Sequence, residues 1–65
     1  MIHRILRLEA VKVRTGLSRS TLYLHMSNRM FPKQVPLGPR AVGWLESEVE
    51  EWLQHQIEES RKDTV

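Results

Sequence analysis

The chain has no cysteine, and this sets the first limit on what it can fold into. Its 65 residues can form neither a disulfide nor a thiolate metal site, so one small hydrophobic core must hold any folded structure together. Hydrophobic residues make up 40% of the chain and charged residues 28%, which is typical of a chain that folds. We expect one domain over residues 1–65, too small for a deep catalytic cleft and therefore not an enzyme.

The amino-terminal segment has the wrong composition for an export signal. Residues 1–8 place His3, Arg4 and Arg7 among apolar side chains and contain no long apolar run. A signal peptide or a membrane span requires such a run. The absence of cysteine is also consistent with a reducing compartment. We therefore expect a cytoplasmic protein with no membrane partner.

Charge is divided unevenly along the chain. Residues 1–45 hold eight Lys and Arg residues against Glu9 alone, which gives +7. Residues 46–65 hold Arg61 and Lys62 against seven acidic residues, which gives −5. Such polarity favours attraction of a polyanion to the first part while the acidic part faces away. Ordinary solubilising charges explain the same composition equally well.

Two short helices joined by a tight turn are predicted in the first half. Residues 8–15 have helical spacing, and Gly16 is free to adopt the positive φ that commonly ends a helix. Ser18 offers an N-cap hydroxyl for a second helix over residues 19–28. Leu22 and Met26 mark its buried side. Residues 8–28 are therefore predicted to form a helix-turn-helix, with Leu17 between the helices.

A hairpin and a long helix are predicted to follow. Residues 33–44 carry β-branched and aromatic residues around a Gly-Pro turn, with Arg40 near the tip. Residues 46–60 have helical spacing of the apolar residues Val49, Trp52, Leu53 and Ile57. Acidic residues at its start and basic residues at its end suit the helix dipole. The predicted fold class is mainly α with a small β-hairpin, a winged helix-turn-helix.

Four sequence blocks occur in the order of a known family. They are RTGLSRSTLY at 14–23, FP at 31–32, LGPRAVGW at 37–44 and EVEEWL at 48–53. Across roughly residues 4–57 the chain resembles the AlpA family of prophage regulatory proteins, and through it the MerR-type winged helix and the phage excisionases. The resemblance implies a transcriptional regulator, in some members one that controls a neighbouring integrase gene and so the excision of a mobile element.

The resemblance also implies which residues contact DNA. Matching positions place Arg19, Ser20, Thr21 and Tyr23 on the recognition helix and Arg40 on the wing. The chain departs from the family at two positions, because many relatives have a basic residue in place of Leu24 and a glycine in place of the arginine at position 29. We expect Asn28, which tolerates the left-handed conformation, to cap the second helix instead.

A helical wheel gives the same helix an outward polar face. With Leu22 and Met26 buried, the outward side carries short side chains and one apolar residue, namely Ser20, Thr21, Leu24, Ser27 and Asn28, with Arg19 and Tyr23 on a flank. Short hydroxyl side chains suit close approach to base edges, and an apolar group can contact a thymine methyl. The alternatives are a solvated face and, for Leu24, a contact with another protein.

Lys33 and Arg40 bracket the predicted hairpin and are candidates for phosphate contacts. A solvated wing tip is the alternative. Trp44 and Trp52 are expected in the core. His3, His25 and His55 lack metal-ligand spacing, so we expect no metal and no cofactor. The Glu48, Glu50 and Glu51 cluster lies in the first turns of a helix, where the dipole accounts for it.

Three functions are compatible with these sequence features. The leading one is a sequence-specific regulator that binds double-stranded DNA, with helix 19–28 in the major groove and wing 33–44 on the backbone. The second is an excisionase-like architectural factor for integrase-mediated recombination, which would use the same surfaces. The third is a protein-interaction module that docks through the last helix or Leu24. Integrase and RNA polymerase are candidate protein partners, and the oligomeric state stays open.

Overall fold

A computed structural model describes residues 3–62 of the chain. The elements in chain order are β1 (Ile5–Leu6), α1 (Leu8–Thr15), α2 (Arg19–Ser27), β2 (Val35–Gly38), β3 (Ala41–Leu45) and α3 (Glu46–Lys62). Helices predominate, and the strands form one antiparallel sheet in the order β1-β3-β2. The predicted fold class, a mainly helical winged helix-turn-helix, is confirmed.

The turn between α1 and α2 forms through the two residues that the sequence singles out. Gly16 has φ 75° and its N–H donates to the Lys12 carbonyl at 2.8 Å, which ends α1 in a left-handed cap. Ser18 is the N-cap of α2, and its hydroxyl oxygen accepts from the Thr21 N–H at 3.2 Å. Both local predictions are confirmed, and together they fix where each helix stops and starts.

The sheet contains a strand that the sequence analysis missed. In β1, Ile5 pairs with Leu45 and Leu6 pairs with Trp44, so β3 lies in the centre of the sheet. Gly43 makes this approach possible, because a Cβ there would overlap Ile5 Cγ2 and lie 3.0 Å from the Leu6 carbonyl oxygen. The hairpin expected alone is therefore two strands of a three-stranded sheet.

The wing is the hairpin of β2 and β3. Val35 pairs with Gly43 and Pro36 with Val42, after which the register shifts by one residue before the turn. Pro36 is tolerated because β2 is an edge strand that needs only one row of backbone hydrogen bonds. Arg40 lies in the turn, as expected.

The core lies where α1 and α3 pack on β3 and α2 packs on α1. Its buried members are Leu6, Val11, Leu22, Phe31, Trp44 and Val49, and partly buried Leu17, Met26, Val42, Trp52 and Leu53 pack against them. Trp44 is therefore a core residue, and Trp52 lies at the edge of the core. Ile57 is 41% exposed, so the expected apolar stripe of α3 leaves the core before that residue.

The end of α2 differs from the expectation by one residue. Asn28 keeps φ −91° and donates its N–H to the Leu24 carbonyl, so it is not left-handed. Arg29 takes the left-handed conformation with φ 59°. The Arg29 N–H donates to the Met26 carbonyl, and the Met30 N–H donates to the His25 carbonyl. These two hydrogen bonds together define a Schellman motif. Asn28 is the C-cap residue of α2, as predicted, but the left-handed conformation falls one residue later, because this hydrogen-bond register rather than residue propensity determines its position.

Candidate nucleic-acid interface

The exposed face of α2 carries most of the predicted base-contacting residues. Ser20 is exposed, and Leu24 has 59% of its surface exposed although it is apolar. Ser27 and Asn28 continue this face toward the end of the helix and are also exposed. Thr21 differs from the expectation, because it is half-buried.

Hydroxyl groups are linked at the amino-terminal end of this face. Ser18 Oγ donates to Thr21 Oγ1 at 2.9 Å, and it lies 3.4 Å from Ser20 Oγ. The Thr21 hydroxyl therefore has a fixed partner inside the protein and retains its own proton for donation outward. Ser20 is the more accessible of the two predicted contacts.

Arg19 and Tyr23 form a unit on the flank of α2. The Arg19 guanidinium carbon lies 5.7 Å from the centroid of the Tyr23 ring, which is a cation–π contact. Tyr23 is half-buried and Arg19 is exposed. The ring restrains an arginine one helical turn away, so less side-chain entropy remains to be lost when that arginine binds an anion.

Two basic residues of the first part of the chain are neutralised within the protein. Arg14 forms ion pairs with Glu50 and with Glu46, whose Oε2 lies 3.2 Å from Arg14 Nη2. Arg4 Nη1 lies 3.9 Å from the same Glu46 oxygen. The expectation that the acidic part faces away is therefore wrong for the first turns of α3, because their carboxylates contact the basic part.

The remaining positive charge is concentrated on fewer residues than the composition implies. Lys12 is also paired, with Glu9 at 3.2 Å within α1. Among residues 3–45, the exposed cations without an ion pair are Arg7, Arg19, Arg29, Lys33 and Arg40. Arg19, Lys33 and Arg40 were predicted as contacts. Arg7 and Arg29 were not, and only a charge count could have indicated them.

The described part of the chain offers no other evident chemistry. Within residues 3–62, no three His, Asp or Glu side chains cluster closely enough to hold a metal ion. No helix in that range is both long and apolar enough to cross a membrane. The exposed face of α2 and the unpaired cations are therefore the features that a functional interpretation has to explain.

Comparison with known proteins identifies the family. The family model described as prophage CP4-57 regulatory protein (AlpA) matches residues 4–57. The chain belongs to the AlpA family. An Escherichia coli K12 relative, described as DNA-binding transcriptional activator AlpA, is 45% identical over 56 residues, covering 77% of this chain and 80% of the relative. A second relative, uncharacterized protein ORF88 of enterobacteria phage P4, is 46% identical over 54 residues, covering 83% of this chain and 61% of the relative.

The AlpA-family match extends well beyond the helix-turn-helix. It includes β1, the wing and the greater part of α3, because it begins at Arg4 and ends at Ile57. The resemblance that the four sequence blocks indicated is therefore confirmed. AlpA-family membership applies to the whole arrangement of helices and wing.

Proposed function

We propose that this AlpA-family chain is a sequence-specific regulator of transcription, encoded by a prophage or related mobile element, that binds double-stranded DNA. The observation that carries the proposal is the exposed, short-side-chain face of α2, flanked by cations that have no ion pair within residues 3–62. The name of the Escherichia coli relative, a DNA-binding transcriptional activator, supports it.

In this proposal α2 enters the major groove. The groove is about 12 Å wide and admits one helix, provided that the facing side chains are short. Ser20 and Thr21 would hydrogen-bond to base edges, and Leu24 would contact a thymine methyl, which accounts for an apolar side chain exposed on a polar face. Arg19, held by Tyr23, would contact a phosphate beside the groove.

The wing has a different role in the proposal. Lys33 lies in the connection between α2 and β2, two residues before the hairpin begins, and Arg40 lies in the hairpin turn; both are exposed. A cation at each place would hold the backbone on one side of the recognition helix. Phosphate contacts of this kind fix register and orientation and read no sequence.

A regulator of this kind acts by binding and carries out no reaction, so we do not propose an enzymatic activity. It would work in the cytoplasm, where bacterial DNA lies. Contact with RNA polymerase would link binding to transcription. An excisionase-like role with integrase would use the same surface and would bend the DNA that it occupies.

Mobility-shift titration tests the proposal. The duplexes are the DNA upstream of neighbouring genes, the attachment site of the host element, and scrambled versions of both with the same base composition. We expect tighter binding to one natural duplex than to its scrambled version, by about 10³-fold or more. Equal affinity for natural and scrambled duplexes would contradict a sequence-specific regulator. A permuted-position bend assay on the preferred duplex then separates regulator from architectural factor.

A further inference from the structure

Arg29 is in a backbone conformation that arginine rarely adopts. Its φ of 59° makes it the one non-glycine residue at positive φ within residues 3–62. The position is the first residue past the Schellman end of α2, which is usually glycine. For a residue with a Cβ this conformation is strained, and such strain is concentrated at functional sites.

The backbone conformation of Arg29 is fixed through hydrogen bonds of the next residue, Met30. The Met30 carbonyl accepts a hydrogen bond from Trp52 Nε1 at 2.6 Å, and the Met30 N–H donates to His25 at 2.7 Å. Both backbone polar groups of Met30 are therefore fixed by other elements. The Arg29 backbone cannot relax without breaking one of these bonds.

The Arg29 side chain makes no ion pair or hydrogen bond within residues 3–62 that would explain the strain. It is exposed and forms no ion pair within residues 3–62, although Glu48 and Glu51 line a groove beside it. On its other side it shares a surface depression with Lys33, which is likewise exposed and unpaired. Two free cations thus lie together where the recognition helix ends and the wing segment begins.

We propose that Arg29 and Lys33 form one phosphate-binding pair that contacts the DNA backbone at the carboxyl-terminal end of α2. The inference rests on the proposed function and adds to it a contact that the sequence analysis did not contain. A guanidinium can bind two oxygens of a phosphate at once, whereas the Lys33 ammonium acts as a point charge. The fixed backbone at Arg29 would lower the entropy lost when the guanidinium binds a phosphate.

The test uses three substitutions at one position. Arg29→Gln removes the charge and keeps a side chain in the left-handed conformation. Arg29→Gly removes the charge and the strain together, and Arg29→Lys keeps charge and strain but loses the planar fork. Arg61→Gln is the matched control, because Arg61 is an exposed cation at the far end of α3. A labelled scrambled duplex serves as probe, since a phosphate contact does not depend on sequence.

The variants are expected to separate affinity from stability. Near 0.1 M salt, Arg29→Gln and Arg29→Gly should each bind the duplex about five- to tenfold more weakly, with the slope of log K against log salt reduced by about 0.9. Arg29→Lys should lose less affinity and keep the wild-type slope. Arg29→Gly should at the same time raise the thermal midpoint by about 4 °C, because it relieves the strain. Arg61→Gln should change neither affinity nor slope measurably.

Two results would contradict the proposal that Arg29 and Lys33 form a phosphate-binding pair. One is an Arg29→Gln variant with wild-type affinity and slope on a duplex that the wild type binds. The other is a lower thermal midpoint in Arg29→Gln with unchanged affinity, which would assign Arg29 to the neighbouring glutamates. A wild-type chain that binds no duplex is a different failure, because it removes the proposed function itself.

Discussion

The indole nitrogen of Trp52 donates a hydrogen bond to the backbone carbonyl of Met30 at 2.6 Å. The same ring meets Phe31 edge to face, with centroids 4.9 Å apart, and lies 6.5 Å from the His25 ring. One residue of α3 therefore holds the end of α2 and the chain that leaves it. The orientation of the proposed recognition helix depends on a contact from the opposite end of the sequence.

Replacing Trp52 should separate its two contributions. Trp52→Ala removes both the ring contacts and the hydrogen bond and should lower the free energy of unfolding by about 3 kcal/mol, a large part of the stability of so small a domain. Trp52→Phe keeps an aromatic ring and should lose about 1 kcal/mol, the value of one hydrogen bond. Urea denaturation followed by circular dichroism measures both.

Ile57→Ala on the exposed part of α3 is the control and should change stability by less than about 0.5 kcal/mol. A cooperative transition at the wild-type midpoint in Trp52→Ala would show that the contacts of Trp52 do not stabilise the fold.

Gly16 should be sensitive to substitution for a reason that involves no contact. A Cβ there would meet nothing within 4 Å, but φ is 75°, so Gly16→Ala should cost about 1 kcal/mol through backbone strain alone. Gly38→Ala is the matched control, because a Cβ there also meets nothing within 4 Å and its φ is not left-handed. We expect that variant to lie within about 0.5 kcal/mol of wild type. Equal thermal midpoints for the two variants would argue against a left-handed cap between α1 and α2.

DNA binding should weaken steeply as salt is added. Five exposed cations of residues 3–45 have no ion pair, and if each neutralises one phosphate, log K should fall against log salt with a slope of about −4 to −5. Fluorescence anisotropy between low and moderate ionic strength measures this slope. Arg14, which pairs with Glu46 and Glu50, provides the internal control, and Arg14→Gln should leave the slope unchanged. Affinity that does not vary with salt would contradict an electrostatic contact with the backbone.

The proposed recognition helix α2 and the wing should respond differently to mutation. Replacing Ser20 and Thr21 together by alanine should reduce binding to the preferred duplex and leave binding to a scrambled duplex nearly intact. Arg40→Ala should weaken binding to both duplexes about equally and reduce the slope of log K against log salt by about 1.

Circular dichroism should first show that each variant is folded. The Ser18 cap of α2 is expected to survive the double substitution, because it accepts from the backbone N–H at position 21, which alanine retains. Full discrimination by the double variant would remove α2 from the role of sequence reader.

Sequence reasoning succeeded where the determining interaction is local. Gly16 and Ser18 act on residues within four positions of themselves, so the limits of α1 and the start of α2 could be predicted without knowledge of the fold. The exposed face of α2 could be predicted for the same reason, because helical periodicity places Leu22 inward and Leu24 outward.

It failed where the determining partner is distant in sequence. β1 has only two residues, too few for any periodic signal, and forms because it pairs with β3. The Met30 carbonyl next to the left-handed Arg29 is held by Trp52, which lies 22 residues further along the chain. Arg4 and Arg14 are neutralised by ion pairs with Glu46 and Glu50, and these glutamates come near them only in the folded chain.

The pairing of Ile5 with Leu45 also has a consequence for how the chain folds. About 40 residues separate the two partners, and α1, α2 and β2 all lie between them. Chain entropy is lost when this loop closes, before the strand pairing contributes any favourable free energy. We therefore expect the pairing of β1 with β3 to form late and to limit the folding rate. During synthesis α1 and α2 leave the ribosome before β3, the strand that pairs with β1 and on which α1 packs. We therefore expect the nascent helix-turn-helix to remain unstructured until β3 has emerged.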